Sequence, residues 1–271
     1  MPRDATVAPD PIHDHPHDRS AAVSTLSRRL VAEGLGTALL VAVVVGSGIR
    51  AERLADGNVG LALLCNALAT GAGLVALLVA LGPVSGGHFN PVVSLSALVQ
   101  GALSPRVALG YAAVQIGGGI AGVLAAHAMF GEPALAWSAH SRTGLPMWWS
   151  EFVATFGLVG VGIGTLRSRP GLVPFVVAGY ITAGYWFTSS TSFANPALTI
   201  ACALTDTFTG IRPVDVPGFV LAQIAGGLSA TLLFHWLCRK PAEIPERAER
   251  GEKRATAARW RAGKPAATSA D

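Results

Sequence analysis

Ser85-Gly86-Gly87-His88-Phe89-Asn90-Pro91-Val92 and Thr191-Ser192-Phe193-Ala194-Asn195-Pro196-Ala197 are the stretches on which the reading of this chain turns. In each, a loop gives way at Asn-Pro to a short apolar run, ending near Leu98 in the first case and Leu204 in the second. Asn is a good helix N-cap, and Pro fits the first helical turn because its missing N–H is not needed there. A run of about 8–10 residues is too short to cross roughly 30 Å of hydrocarbon. It can enter only halfway and return, buried in protein.

The rest of the chain supplies the protein to bury it. Of the residues, 51% are hydrophobic and 13% charged, against about 25% charged in an ordinary soluble domain. The charges crowd into the two ends and short interruptions, leaving six long apolar runs. The spans expected are 27–49, 59–82, 106–129, 148–166, 172–188 and 215–237. Residues 1–26 read as a disordered polar tail with no secretory signal. Residues 27–238 form the membrane domain and 239–271 a basic tail. With both termini cytoplasmic, sixteen of the twenty Lys and Arg lie inside, and only Arg50, Arg53, Arg142 and Arg212 outside, as the positive-inside rule requires.

An internal repeat relates the regions 27–129 and 148–238. Glu33-Gly34-Leu35-Gly36-Thr37 answers Glu151-Phe152-Val153-Ala154-Thr155, and Gln115-Ile116-Gly117-Gly118 answers Gln223-Ile224-Ala225-Gly226. Each half has three spans, so the halves face opposite ways, and the working site of such inverted repeats lies near the midplane. Two half-helices then meet N-terminus to N-terminus. Their dipoles place about half a positive charge each at the centre, which opposes cations. The Asn90 and Asn195 amides become donors. The carbonyls of Gly86, Gly87, His88, Thr191, Ser192 and Phe193 become a ladder of acceptors for neutral hydroxyl-bearing solutes. Glu33 and Glu151 are costly inside spans and need partners. A proton relay is one role for them; bracing of the re-entrant loops, with Gln115 and Gln223 as further supports, is the role favoured.

Other features carry less. Cys65, Cys202 and Cys238 have no metal-type spacing and read as free thiols. The His13-Asp14-His15-Pro16-His17-Asp18 tract reads as part of a mobile tail rather than a metal site. The net charge of +4 reflects the basic membrane flanks and does not indicate nucleic acid. There is no nucleophile–base pair, metal triad or phosphate loop, so neither an enzyme nor a cofactor is expected. Two further classes stay open: a secondary transporter, against which few charges lie in the spans to couple an ion, and a non-conducting junctional protein.

Over about residues 27–238 the sequence resembles the aquaporin, or major intrinsic protein, family. The resemblance rests on the two Asn-Pro segments, the paired Glu residues and Tyr111…Gln115. It implies an all-α, right-handed bundle of six spanning helices with two re-entrant half-helices, assembled as a homotetramer with one pore per subunit. It also implies passage of water, glycerol-like solutes or neutral metalloid acids. Two departures stand out. Val92 replaces the usual Ala of the first motif, and Leu198 stands where family channels usually carry Arg after the second. Family spacing puts the other constriction positions at Thr70, Ala183 and Ser192, with Tyr180 as a substitute for Ala183. These small residues imply a wide constriction without a fixed cation. The Leu198 pattern, with Tyr185-Trp186-Phe187-Thr188 before it, is similar to bacterial aquaporins linked to arsenic handling. The implied function is a solute channel of a bacterial inner membrane that admits arsenous acid, with a mainly water-conducting pore as the alternative. Cys202, one turn beyond Leu198, reads as a packed thiol, with metalloid binding as the other reading.

Overall fold

The computed structural model describes residues 24–238; the expectations for the His-bearing N-terminal tract and the basic C-terminal tail lie outside the described residues. Every regular element among them is helical. In chain order these are α1 (Leu26–Leu54), α2 (Val59–Ser85), α3 (Pro91–Val99), α4 (Pro105–Phe130), α5 (Leu145–Ser168), α6 (Val173–Phe187), α7 (Pro196–Cys202) and α8 (Val216–Leu237), with single 3-10 turns ahead of α6 and α8. Five segments are long and apolar enough to cross a membrane. The sixth expected span, α6, has 15 residues and extends through the 3-10 turn Pro170–Leu172.

The second span runs further than expected. Its helix continues through Pro83 to Ser85 and stops at Gly86, whose φ of 99° ends it in the left-handed region. A proline this close to a helix end removes only one ladder bond, so the turn begins at the glycines rather than at the proline. Leucines, valines and tryptophans are exposed around the whole bundle, among them Leu109, Trp149, Leu221 and Trp236. That is the surface of helices solvated by lipid rather than water.

The two halves are built alike. α1 packs on α4 and α5 on α8, while α3 and α7 lie between them, each touching helices of both halves. Close approach within each long pair is set by glycine. A Cβ on Gly118 would run into the Gly34 carbonyl oxygen, and one on Gly226 into the Phe152 carbonyl oxygen. Gly118 and Gly226 are equivalent in the repeat, as are Gly34 and Phe152. Small residues at such contacts allow backbones to touch where lipid supplies no hydrophobic drive. Gly118→Leu and Gly226→Leu are therefore each expected to destabilise the fold by about 2 kcal/mol or more. The readout is a lowered thermal unfolding midpoint of the detergent-purified protein, and an unchanged midpoint would show the helix pairs to be less close than described.

Candidate functional site

The site begins with two N-caps. The Asn90 Oδ1 accepts the Val92 N–H at 2.9 Å, and the Asn195 Oδ1 accepts the Ala197 N–H at 2.9 Å and the Leu198 N–H at 3.4 Å. Capping fixes each amide, and its nitrogen then reaches across to the other half. Asn90 Nδ2 donates to the Ala194 carbonyl at 2.7 Å, and Asn195 Nδ2 donates to the Phe89 carbonyl at 2.9 Å. Each amide group has two N–H donors, so one on each Asn is left after the cross-bond. Both Asn residues line a cavity of about 240 Å³. The half-helices thus abut N-terminus to N-terminus, and both bring partial positive charge to the join.

Two buried carboxylates hold the loops that lead into the caps. Glu33 Oε1 accepts the Ser85 hydroxyl at 2.6 Å and the His88 N–H at 2.9 Å. Its Oε2 accepts the Phe89 N–H at 2.7 Å and Gln115 Nε2 at 2.8 Å. Glu151 repeats the arrangement: Oε1 accepts the Phe193 N–H at 2.9 Å, and Oε2 accepts the Ala194 N–H at 2.8 Å and Gln223 Nε2 at 2.6 Å. Each Gln also donates to the second turn of a half-helix, Gln115 to Ser94 Oγ and Gln223 to Thr199 Oγ1. Both carboxylates are fully buried with every oxygen engaged, an arrangement that braces backbone. The loops need bracing, because Phe89, Thr191, Ser192 and Ala194 all have φ between 47° and 64°. That left-handed conformation costs a side-chain-bearing residue about 1–2 kcal/mol.

A second cavity, of about 210 Å³, lies toward the 131–144 loop. Val44, Tyr185, Ser192, Phe193 and Leu198 line both cavities and so stand between them. Two of the four expected constriction residues, Ser192 and Leu198, lie on this shared boundary. Thr70 lies in the larger cavity only and is hydrogen-bonded, hydroxyl to hydroxyl at 3.0 Å, to Tyr185. Ala183 requires correction: it is exposed on the outer side of α6 and lines neither cavity. The inward face of α6 is Val173, Val177, Ile181 and Tyr185, a stripe of period four on which 183 cannot fall. Tyr180, the substitute, lines neither cavity; its hydroxyl donates to the Val153 carbonyl at 3.3 Å. Family spacing lands two residues short of Tyr185, the α6 residue on the boundary between the cavities. A large aromatic thus occupies a position expected to be small. Cys202 is fully buried and lines neither cavity.

The sequence reading also missed a cation. Arg142, in the α4–α5 loop, lines the smaller cavity together with Leu198. Its loop is laid along the chain after α7 by the bonds Ala136 N–H to Leu204 O, Ser138 N–H to Ala203 O and Arg212 N–H to His140 O. The guanidinium donates to the Gly210 carbonyl at 2.7 Å and to the Ser190 and Phe208 carbonyls at 3.4 Å each. Its Cζ lies 4.8 Å from the Phe193 ring centroid, within cation–π range. Burial lowers its pKa, yet a guanidinium stays charged at neutral pH. Among the described residues no group of three or more His, Cys, Asp or Glu is placed to hold a metal ion.

This fold and central join define a membrane channel of the inverted-repeat type. A family profile described as "Major intrinsic protein" matches residues 20–179, and the chain belongs to that family. It is 52% identical over 212 residues to "Aquaglyceroporin AqpS" of Rhizobium meliloti, covering 78% of this chain and 91% of that protein. It is 39% identical over 104 residues to the lens fiber major intrinsic protein of Gallus gallus, over 38% of each chain. The X-ray structure of an aquaglyceroporin from Plasmodium falciparum superposes with a TM-score of 0.62 at 18% identity. That match covers 78% of this chain and 96% of that one, and the likeness is one of fold.

Replacing either carboxylate tests the bracing. Glu33→Gln and Glu151→Gln each turn an accepting oxygen into a donor facing donors, so a loss of about 2–4 kcal/mol is expected. It would be read as a lower unfolding midpoint. A variant of normal stability with altered proton leak would instead favour a relay.

Proposed function

We propose that the two cavities are the ends of one pore and that the protein is a passive channel for small neutral solutes. The solute classes are glycerol-like polyols, undissociated metalloid acids such as arsenous acid, and water. The observation that carries this is the reciprocal Asn90–Ala194 and Asn195–Phe89 bonding. It leaves donors at the midpoint of a path whose wall is largely apolar, with Leu40, Leu74, Leu158 and Ile181 among its lining, and carries Thr70, His88, Ser96, Gln100 and Arg167 among its polar side chains. A solute with hydroxyl groups exchanges water for these donors and for the free carbonyls of the loops. A cation meets two helix N-termini and little to replace its hydration. Glycerol-type passage draws on the kinship with the rhizobial aquaglyceroporin. Metalloid acid passage rests on the likeness of arsenous acid to glycerol in size and hydroxyl pattern. The channel is placed in a bacterial inner membrane with both termini cytoplasmic, as a homotetramer with one pore in each subunit. The basic flanks of the spans support the orientation.

Stopped-flow swelling of proteoliposomes tests this reading: glycerol and water fluxes above those of empty vesicles are expected, and flux of neither would refute it. Leu198→Arg narrows the boundary between the cavities. Glycerol permeability is expected to fall roughly tenfold, a barrier change of about 1.4 kcal/mol, with water less affected. Unchanged selectivity would remove Leu198 from the constriction.

A further inference from the structure

Leu198 removes the guanidinium that family pores usually carry after the second Asn-Pro-Ala, and Arg142 lines the same cavity from a different part of the chain. We infer that Arg142 is the cationic selectivity element of this pore, supplied by the α4–α5 loop in place of the half-helix. The inference rests on the channel reading above and adds a specificity-determining residue to it.

Three observations support it. First, no carboxylate is in contact with the guanidinium. The ion pairs among the described residues are Arg53–Glu132, His140–Asp206 and Arg212–Asp215, and Arg142 belongs to none of them. Asp215 accepts the Arg142 backbone N–H at 2.8 Å and is engaged by the Arg212 side chain, and the buried Glu151 acts on the guanidinium only at longer range, without an ion-pair contact. The guanidinium is held instead by three neutral carbonyls and one aromatic face, which orient it without neutralising it. Second, those carbonyls belong to Ser190, Phe208 and Gly210, in the chain segments flanking α7. The residue is therefore fixed to the segment that carries the second half-helix rather than swinging from a free loop. Third, Arg142 shares the cavity wall with Thr191 and Ser192 of the loop that leads into α7. The Ser192 Oγ itself is buried against Gly184, so the guanidinium is the side-chain donor at this place.

The physical consequence is a two-part filter. A neutral polyol passing Arg142 is offered the guanidinium N–H donors not spent on carbonyls. A cation at the same place meets an unpaired unit charge in a narrow site of low dielectric, where the repulsion is only weakly screened. Leu198 contributes the dry wall opposite.

The test uses full-length protein in vesicles of neutral lipid, with water swelling to establish conduction and an entrapped dye to report sodium leak under an imposed potential. Wild type and R142K are expected to be tight. R142Q, which keeps donors but loses the charge, is expected to leak sodium at least about tenfold faster. R142Q with L198R is expected to return to the wild-type leak, because the charge is restored from the other position. R142H lets one folded protein be read in both charge states: tight at pH 5 and leaky at pH 8, on either side of the usual histidine pKa of about 6.5. A water-conducting R142Q no leakier than wild type would overturn the inference, as would R142K leaking as R142Q does or a pH-independent leak in R142H. Failure of glycerol to pass the wild type would count against the solute class alone, since the sodium comparison is normalised to water.

Discussion

Backbone in the middle of a bilayer has no water to bind, and this constraint organises the molecule. The loops before Asn90 and Asn195 are neither helix nor sheet, so their N–H groups need acceptors from elsewhere. Glu33 and Glu151 provide them, each taking two consecutive backbone N–H groups and one Gln amide. With the N–H groups turned toward the carboxylates, the chain is held in left-handed conformations that bring both Asn residues to the centre. The cost of those conformations falls on Phe89, Thr191, Ser192 and Ala194. The same loops line the cavity through which solutes are proposed to pass. Structure and function therefore share one set of hydrogen bonds.

The join between halves follows from that bracing. A cap uses the Asn oxygen, which leaves the nitrogen, and the nitrogen finds a carbonyl of the opposite loop. Because the halves are repeats, the bond occurs twice and is reciprocal. It brings two helix N-termini together, an unfavourable juxtaposition of like partial charges that the surrounding carbonyls offset. The resulting site has Asn donors at the midpoint and loop carbonyls on either side. In the proposed channel, charge would be the first ground of discrimination and shape the second. The boundary set by Val44, Tyr185, Ser192, Phe193 and Leu198 supplies the shape term.

Much of this was legible in the sequence because it is local or repeated. Asn-Pro ahead of an apolar run is a capping signal, and its recurrence at equivalent points implied two half-helices facing each other. Glu within apolar spans demanded partners, and the repeat suggested which loops supplied them. Gly118 and Gly226 fell at equivalent places in helices that had to touch. What was not legible depends on contacts distant in sequence. Arg142 is held by carbonyls at 190, 208 and 210, and nothing near it in the chain says that it folds inward. Tyr185 was hidden by an assumed loop length, although the spacing of Val173, Val177, Ile181 and Tyr185 on α6 would have exposed it. The expectation of small constriction residues without a cation foresaw neither Tyr185 on the boundary between the cavities nor Arg142 on the wall of the smaller one.

The reciprocal amide–carbonyl bonding at the join is the claim on which the rest stands. Dipolar recoupling between 15N in the Asn195 side chain and the 13C-labelled Phe89 carbonyl, recorded by solid-state NMR on protein in lipid bilayers, measures it directly. A hydrogen bond of 2.9 Å from Nδ2 to the carbonyl oxygen places nitrogen and carbonyl carbon within roughly 4 Å, so strong transfer is expected, and the Asn90–Ala194 pair should match it. Absence of transfer in both pairs, with the Asn amides exchanging freely with bulk water, would contradict the account.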